Sequence, residues 1–181
     1  MTMYVIGIAG GTCSGKSTLC DKLSSYYGDD CRVFHMDSYF RKPFITTIAP
    51  ITGIDYVEHN HPDALMLDEL YRDFNAELES EAHKVVIIEG LFALYLSEIR
   101  ERLDMKIFVD LDSDERLVRR IKRFTSRGQS FDEVTSRYID TVRFRHNELI
   151  EPTRWHADIV VNGNSGDKTV EIIKTYVDSK I

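Results

Sequence analysis

Cysteine and proline are scarce in this 181-residue chain, with three and four copies respectively, and no C-x-x-C pair occurs. An odd set of thiols, Cys13, Cys20 and Cys31, argues against a disulfide scaffold and fits a reduced, cytoplasmic protein. No apolar run approaches the roughly 18 residues of a membrane span. The first residues run straight into a strand pattern with no basic stretch and apolar h-region, so neither a membrane nor a secretory class is expected. An excess of basic charge is also missing: 23 Lys and Arg against 30 Asp and Glu leave a net charge of −7. That balance argues against a general nucleic-acid binder, and any bound anion must be held by local donors. Internal repeats, low-complexity tracts and linkers are absent, and the length suits one domain over residues 1–181.

What is present is an alternation of short apolar runs with helical periodicity. The pattern predicts strands near 3–9, 31–36, 84–88, 105–110 and 157–161, and helices near 16–26, 63–79, 113–126, 131–149 and 167–179. Such alternation is the sequence form of an α/β three-layer sandwich, a central parallel five-stranded sheet covered by helices on both faces. Ser130-Phe131-Asp132-Glu133 reads as a capping box, Pro62-Asp63 opens one helix and Glu151-Pro152 closes another. Residues 40–60, with Pro43, Pro50 and Gly53, show no helical period and are expected to form a long loop of the functional or mobile kind.

The first apolar run, Val5-Ile6-Gly7-Ile8-Ala9, feeds Gly10-Gly11-Thr12-Cys13-Ser14-Gly15-Lys16-Ser17, a G-x-x-x-x-G-K-[ST] match that opens a helix. In that context the glycines let the backbone wrap a phosphate, with successive N–H groups and the helix N-terminus pointing at the anion. The match predicts a nucleoside-triphosphate site, for ATP or GTP, in which Lys16 reaches the β- and γ-phosphates and the Ser17 hydroxyl ligates Mg²⁺. Thr18 ends the nucleotide-binding run, although neither role needs its hydroxyl.

Three proposed strands end in an acid, Asp37, Glu89 and Asp110, and ligands in open α/β sheets bind outside the carboxyl ends of the strands. Phosphoryl transfer needs charge neutralisation and one carboxylate to accept a hydroxyl proton. Asp37, just before the long loop, is the candidate base; Glu89 suits Mg²⁺ or its waters. Asp110 reads equally well as a cap.

Arg116, Arg120, Arg123 and Arg127 recur at helical spacing and so share one face, with Arg119 alongside. Like charges at this spacing repel, a cost that a bound polyphosphate would remove. Arg120, Arg123 and Arg127 with Gly128 read as donors of a closing lid at about 120–135, against the alternative of a solvated basic face.

These residues together resemble the uridine kinase family of P-loop phosphotransferases, related to phosphoribulokinase and nicotinamide riboside kinase. The resemblance runs through His35-Met36-Asp37-Ser38-Tyr39-Phe40, Asn60-His61-Pro62-Asp63-Ala64, Glu89-Gly90 and Lys106-Ile107-Phe108-Val109-Asp110. It continues through Arg116-Leu117-Val118-Arg119-Arg120-Ile121, Arg127-Gly128 and Glu151-Pro152-Thr153. It implies an ATP- and Mg²⁺-using kinase in which Asp37 is the base for a ribose 5′-hydroxyl. It also implies that Arg120 contacts substrate and phosphate, and that Arg123 and Arg127 belong to the ATP lid. Self-association, common among related kinases, stays open.

The departures lie on the acceptor side. Asn60 stands where the family carries Asp before His61, Gln129 follows Gly128 where Arg is usual, and Arg137 precedes Tyr138 where Gln is usual. The family's base-reading hairpin, expected after Leu78, has no room before the strand at Lys84. The acceptor loop at about 38–62 is the expected substitute, with Tyr39, Tyr56 and His59 as readers. The sequence therefore supports phosphorylation of a primary hydroxyl on a small-molecule acceptor, uridine or cytidine by resemblance. The alternatives are a non-pyrimidine acceptor, such as nicotinamide riboside or a small alcohol, and an ATP-binding regulatory module without catalysis.

Overall fold

The computed structural model describes residues 3–181. Its centre is β1 (Tyr4–Gly10), in which every residue is buried, as expected for a strand covered on both faces. β1 pairs in parallel with β5 (Val85–Glu89) on one side and β6 (Met105–Asp110) on the other. β2 (Cys31–His35) and β7 (Ile159–Asn162) complete a five-stranded parallel sheet of order β2-β5-β1-β6-β7. The chain leaves β1 toward one flank and later fills the other, so the order reverses at β1, where open α/β sheets bind ligands.

Alternate residues of each strand feed two separate cores. Val5, Ala9, Val86, Ile88 and Phe108 join Leu70 and Phe74 of α2 (Leu67–Ser80) on one face. Tyr4, Ile6, Ile8, Val85, Ile87, Ile107 and Val109 meet Leu19, Cys20 and Leu23 of α1 (Lys16–Tyr27) on the other. Ile173 and Val177 of α7 (Asp167–Asp178) join this second core. The period of two in the strands and of three to four in the helices thus produces the three layers. Burying each large apolar side chain contributes about 1.5–3 kcal/mol. Cys20 and Cys31 are free thiols, and burial pushes both up from the usual thiol range, Cys31 to about 11, so they act as small apolar side chains. Among the described residues, no helix is long and apolar enough to cross a membrane.

The elements depart from the expected pattern in four places. Residues 40–60 are not a featureless loop: Thr46–Ile48 (β3) and Asp55–Val57 (β4) form an antiparallel hairpin. Its turn is closed by Gly53 N–H donating to the Ala49 carbonyl and Ala49 N–H to the Ile54 carbonyl, with Gly53 at φ 71°. Three-residue strands carry too little alternation to register as a period. Pro62 opens a 3₁₀ turn over Pro62–Ala64, while α2 begins at Leu67. The helix expected at 131–149 starts as α5 (Phe131–Arg137) on the predicted capping box. It then widens into π turns at Tyr138–Val142 and His146–Ile150 around the short α6 (Arg143–Arg145). The last π turn ends at Ile150, so Glu151-Pro152 closes this helix as expected; the chain goes on as a 3₁₀ turn through His156, where a proline in the first turn gives up an N–H that needs no partner. Finally, one turn of helix, α3 (Ser97–Arg100), was not expected.

Candidate active site

The phosphate loop is built by glycines that nothing else could replace. Gly10 and Gly15 have φ of 148° and 107°, and a Cβ on Gly10 would overlap the Val109 carbonyl of β6. At Gly15 a Cβ would come within 2.9 Å of the Gly163 carbonyl oxygen. α1 starts there with no side-chain cap and no acid in its first turn, so its leading N–H groups stay available to an anion. Cys13 adopts the left-handed conformation inside the loop, at φ 60°.

Gly163, absent from the sequence-level candidates, sits just after β7. A Cβ there would overlap the Ser14 carbonyl oxygen, so the turn after β7 can lie directly against the loop only as glycine. Its partner is more than 140 residues away, and no local motif marks it.

Beneath the loop lies Arg116, 4% exposed, whose Nε donates to the Leu111 carbonyl at 3.0 Å. Its Nη1 has no hydrogen-bond partner and would be 2.6 Å from a Cβ on Gly11. A buried guanidinium without a carboxylate places uncompensated positive charge under the phosphate loop. Arg120, 8% exposed, donates from Nη1 to Thr12 Oγ1 at 3.1 Å. Burial pulls its pKa down from the ordinary arginine range. Arg123 and Arg127 are exposed, and all three guanidiniums of Arg120, Arg123 and Arg127 lie over the Phe124 ring, at 4.6, 5.9 and 6.0 Å. Phe124 is thus the platform of the arginine group, four residues after Arg120, three before Arg127 and next to Arg123 in sequence. Among the described residues none of Arg116, Arg120, Arg123 and Arg127 pairs with a carboxylate, whereas Arg119 bonds Glu115 at 3.0 Å.

The strand-end acids divide. Glu89, 5% exposed, accepts from Ser17 Oγ at 3.3 Å and faces His35 Nδ1 at 3.0 Å. Asp37, in the 3₁₀ turn after β2, faces open solvent in the cavity described below. Asp110 is held by Arg154 Nη1 at 3.0 Å, from the 3₁₀ turn that ends at His156, and lines neither of the cavities described below.

One cavity of about 360 Å³ brings together Thr12, Cys13, Lys16, Ser17 and Asp37 with Asn60, Arg120, Arg123, Arg127, Gln129 and Arg137. Phe40, His59, Leu91 and Phe124 complete its wall. A neighbouring concavity of about 270 Å³ is lined by Cys13, Gly15, Lys16, Ser17, Thr18, Arg119 and Arg123. The two concavities share Cys13, Lys16, Ser17 and Arg123, so they meet at the phosphate loop.

Two expected residues lie elsewhere. His61 caps the 3₁₀ turn, its Nδ1 accepting from Asp63 N–H at 3.2 Å, and does not line the cavity. Tyr39 packs against the first core and donates its hydroxyl to Asp73 at 3.2 Å. Asn60 is buried, its backbone N–H donating to Glu58 Oε1 at 2.6 Å. Glu58, 2% exposed, also accepts from Arg145 Nε at 3.1 Å, which ties the end of the hairpin to the helix behind it.

A sequence profile of the Phosphoribulokinase / Uridine kinase family matches residues 75–170. A uridine kinase of Chlamydia pneumoniae is 34% identical, over 91% of this chain and 83% of that protein. A uridine kinase of Lactobacillus helveticus is 32% identical, over 97% and 94%. Among solved structures, shikimate kinase from Acinetobacter baumannii superposes over 99% of this chain and 95% of its own, with a TM-score of 0.58 at 18% identity, a likeness of fold alone. A loop that fits phosphate, an unpaired arginine face over it and full-length similarity to named kinases converge: the chain belongs to the phosphoribulokinase/uridine kinase family of kinases.

Proposed function

We propose that this protein transfers the γ-phosphoryl group of ATP to a primary hydroxyl of a nucleoside. The observation that carries the reading is the single cavity in which Lys16 and Ser17 of the phosphate loop face Asp37, Asn60 and Arg137. Donor and acceptor machinery share one space.

In this reading the N–H groups of residues 10–17 and Lys16 hold the triphosphate, and Asp37 accepts the proton of the attacking hydroxyl as its oxygen bonds to phosphorus. ADP leaves on the phosphate-loop side. Arg120, with Arg123 and Arg127 from the lid at about 120–135, neutralises charge on the equatorial oxygens in transit. Asn60 is the candidate hydrogen-bonding partner of the sugar.

Ser17 and Glu89 fit a magnesium ion: a hydroxyl and a buried carboxylate 3.3 Å apart, with no lysine or arginine occupying the carboxylate. Mg²⁺ keeps most of its water and takes one or two protein oxygens besides phosphate, so a small donor set suffices. An ion held there by Ser17 and Glu89 would supply positive charge to the triphosphate.

Steady-state assays with Mg·ATP and a nucleoside panel test the proposal. Asp37→Asn is expected to lower kcat by about 10²–10⁴, the range of a lost general base, with the Kd for ATP within about twofold. Turnover equal to wild type in that variant would remove Asp37 from the chemistry.

A further inference from the structure

Resting on that kinase reading, we infer that His59, with its tautomer set by Arg137, reads the acceptor ring and selects an uncharged ring with a carbonyl at its edge. Of the three aromatic candidates, only His59 lines the cavity. Tyr56 donates its hydroxyl to Asp140 Oδ2 at 2.9 Å, and Tyr39 donates to Asp73. Both are committed to holding the hairpin and the 3₁₀ turn in place.

The donor character of His59 follows from its neighbour. A guanidinium can only donate, and Arg137 Nη2 lies 2.9 Å from His59 Nδ1 while also bonding the Val57 carbonyl. Nδ1 is therefore the acceptor, and the ring proton resides on Nε2. Burial, then the Arg137 charge, lowers the imidazole pKa against the opposing pull of Glu58, Asp37 and the Val57 carbonyl, which favours the neutral ring. Phe40 and Phe44 pack on it with centroids at 5.0 and 5.1 Å, which restricts its rotation.

The reader is also rigidly placed. Thr52 and Tyr56 both donate to Asp140 at 2.9 Å, and Arg145 reaches Thr47 as well as Glu58. The hairpin is thus fastened to the helix that runs from α5 through α6, at the π turns where that helix widens.

Two selections follow. An N–H donor bonds a ring carbonyl, which accepts, and opposes an exocyclic amino group at the same edge. The half-buried Arg137 cation beside it opposes a positively charged ring, because the adjacent Glu58 carboxylate is already occupied by Arg145 and Asn60. Uridine, cytidine and nicotinamide riboside sample these three cases.

The test is kcat and KM for the three acceptors with Mg·ATP, in the wild-type protein and in His59→Phe, which keeps the ring shape and loses the donor. Wild type is expected to favour uridine over cytidine by about tenfold or more in kcat/KM, and over nicotinamide riboside by more. His59→Phe is expected to raise the uridine KM about tenfold, leave kcat and the ATP KM within about twofold, and level the uridine to cytidine ratio. If His59→Phe does not fold, His59→Gln, whose amide again offers an N–H, is expected to retain part of the preference. Equal use of uridine and cytidine by wild type, or an unchanged ratio in both variants, overturns the inference while the kinase reading stands. Loss of turnover with every nucleoside overturns that reading and this one together.

Discussion

The two sides of the cavity are built in opposite ways. The phosphate side is one run of eight residues, Gly10 to Ser17, whose backbone and helix start make the site. The side proposed for the acceptor is assembled from Asp37 after β2, His59 and Asn60 after β4, and Arg137 at the end of α5. The first is specified by local backbone geometry. The second exists only because side chains 80 or more residues apart, Arg137 with Val57 and Asp140 with Thr52 and Tyr56, hold a small hairpin against a helix. Phosphate binding can therefore persist while acceptor binding is rebuilt.

The strongest test of that division is Gly163→Ala. Its methyl would collide with the Ser14 backbone, which cannot swing aside as a side chain can. A stability loss of about 3 kcal/mol or more, in the upper range for single substitutions, is expected with weakened ATP binding. Denaturant melts with and without ATP measure both. If acceptor KM moved and ATP affinity did not, the two sides would not be separable as described.

Asp140→Ala addresses the other side. It removes the carboxylate that accepts from Thr52 and Tyr56, and a loss of about 1–3 kcal/mol follows from two lost hydrogen bonds to a charged group. The acceptor KM is expected to rise several-fold with the ATP KM unchanged. An equal rise in both would show that hairpin and phosphate loop move as one body.

The smallest expected effect is a pH dependence at the seam between them. His146 is buried, and burial followed by the Arg116 charge lowers its pKa to about 4. Its Nε2 faces Glu151 at 3.1 Å while Nδ1 has no partner, consistent with a neutral ring donating from Nε2. The unfolded chain takes up this proton near pH 6.5 and the folded one only near pH 4, so stability present at neutral pH is lost as pH falls through that window. The loss is on the order of 1–2 kcal/mol, and His146→Asn is expected to flatten it in thermal melts from pH 7 to 4.5.

Legibility followed the same division. The five parallel strands and the flanking helices were readable because burial on both faces leaves continuous apolar runs and amphipathic periods in between. Lys16, Ser17, Asp37, Glu89 and the arginine face were readable as types of residue at motif spacing. The hairpin at residues 46–57 was not, because its strands are three residues long and are stabilised by distant side chains. Arg116 was read as one arginine of a stripe, yet it lies under the phosphate loop while Arg123 and Arg127 face solvent, a difference that helical spacing cannot express. His61, inside a distinctive His-Pro-Asp-Ala run, turns out to cap a turn at the cavity's edge.

By itself the sequence determined the sheet, its helices and the phosphate loop, because apolar periodicity and glycine conformation are properties of neighbouring residues. Only the tertiary structure decided which arginines are buried, that Gly163 must lie against Ser14, and that Arg137 leaves a hydrogen-bond donor on His59. Those outcomes depend on desolvation and contact between segments far apart in the chain, and no local pattern carries that information.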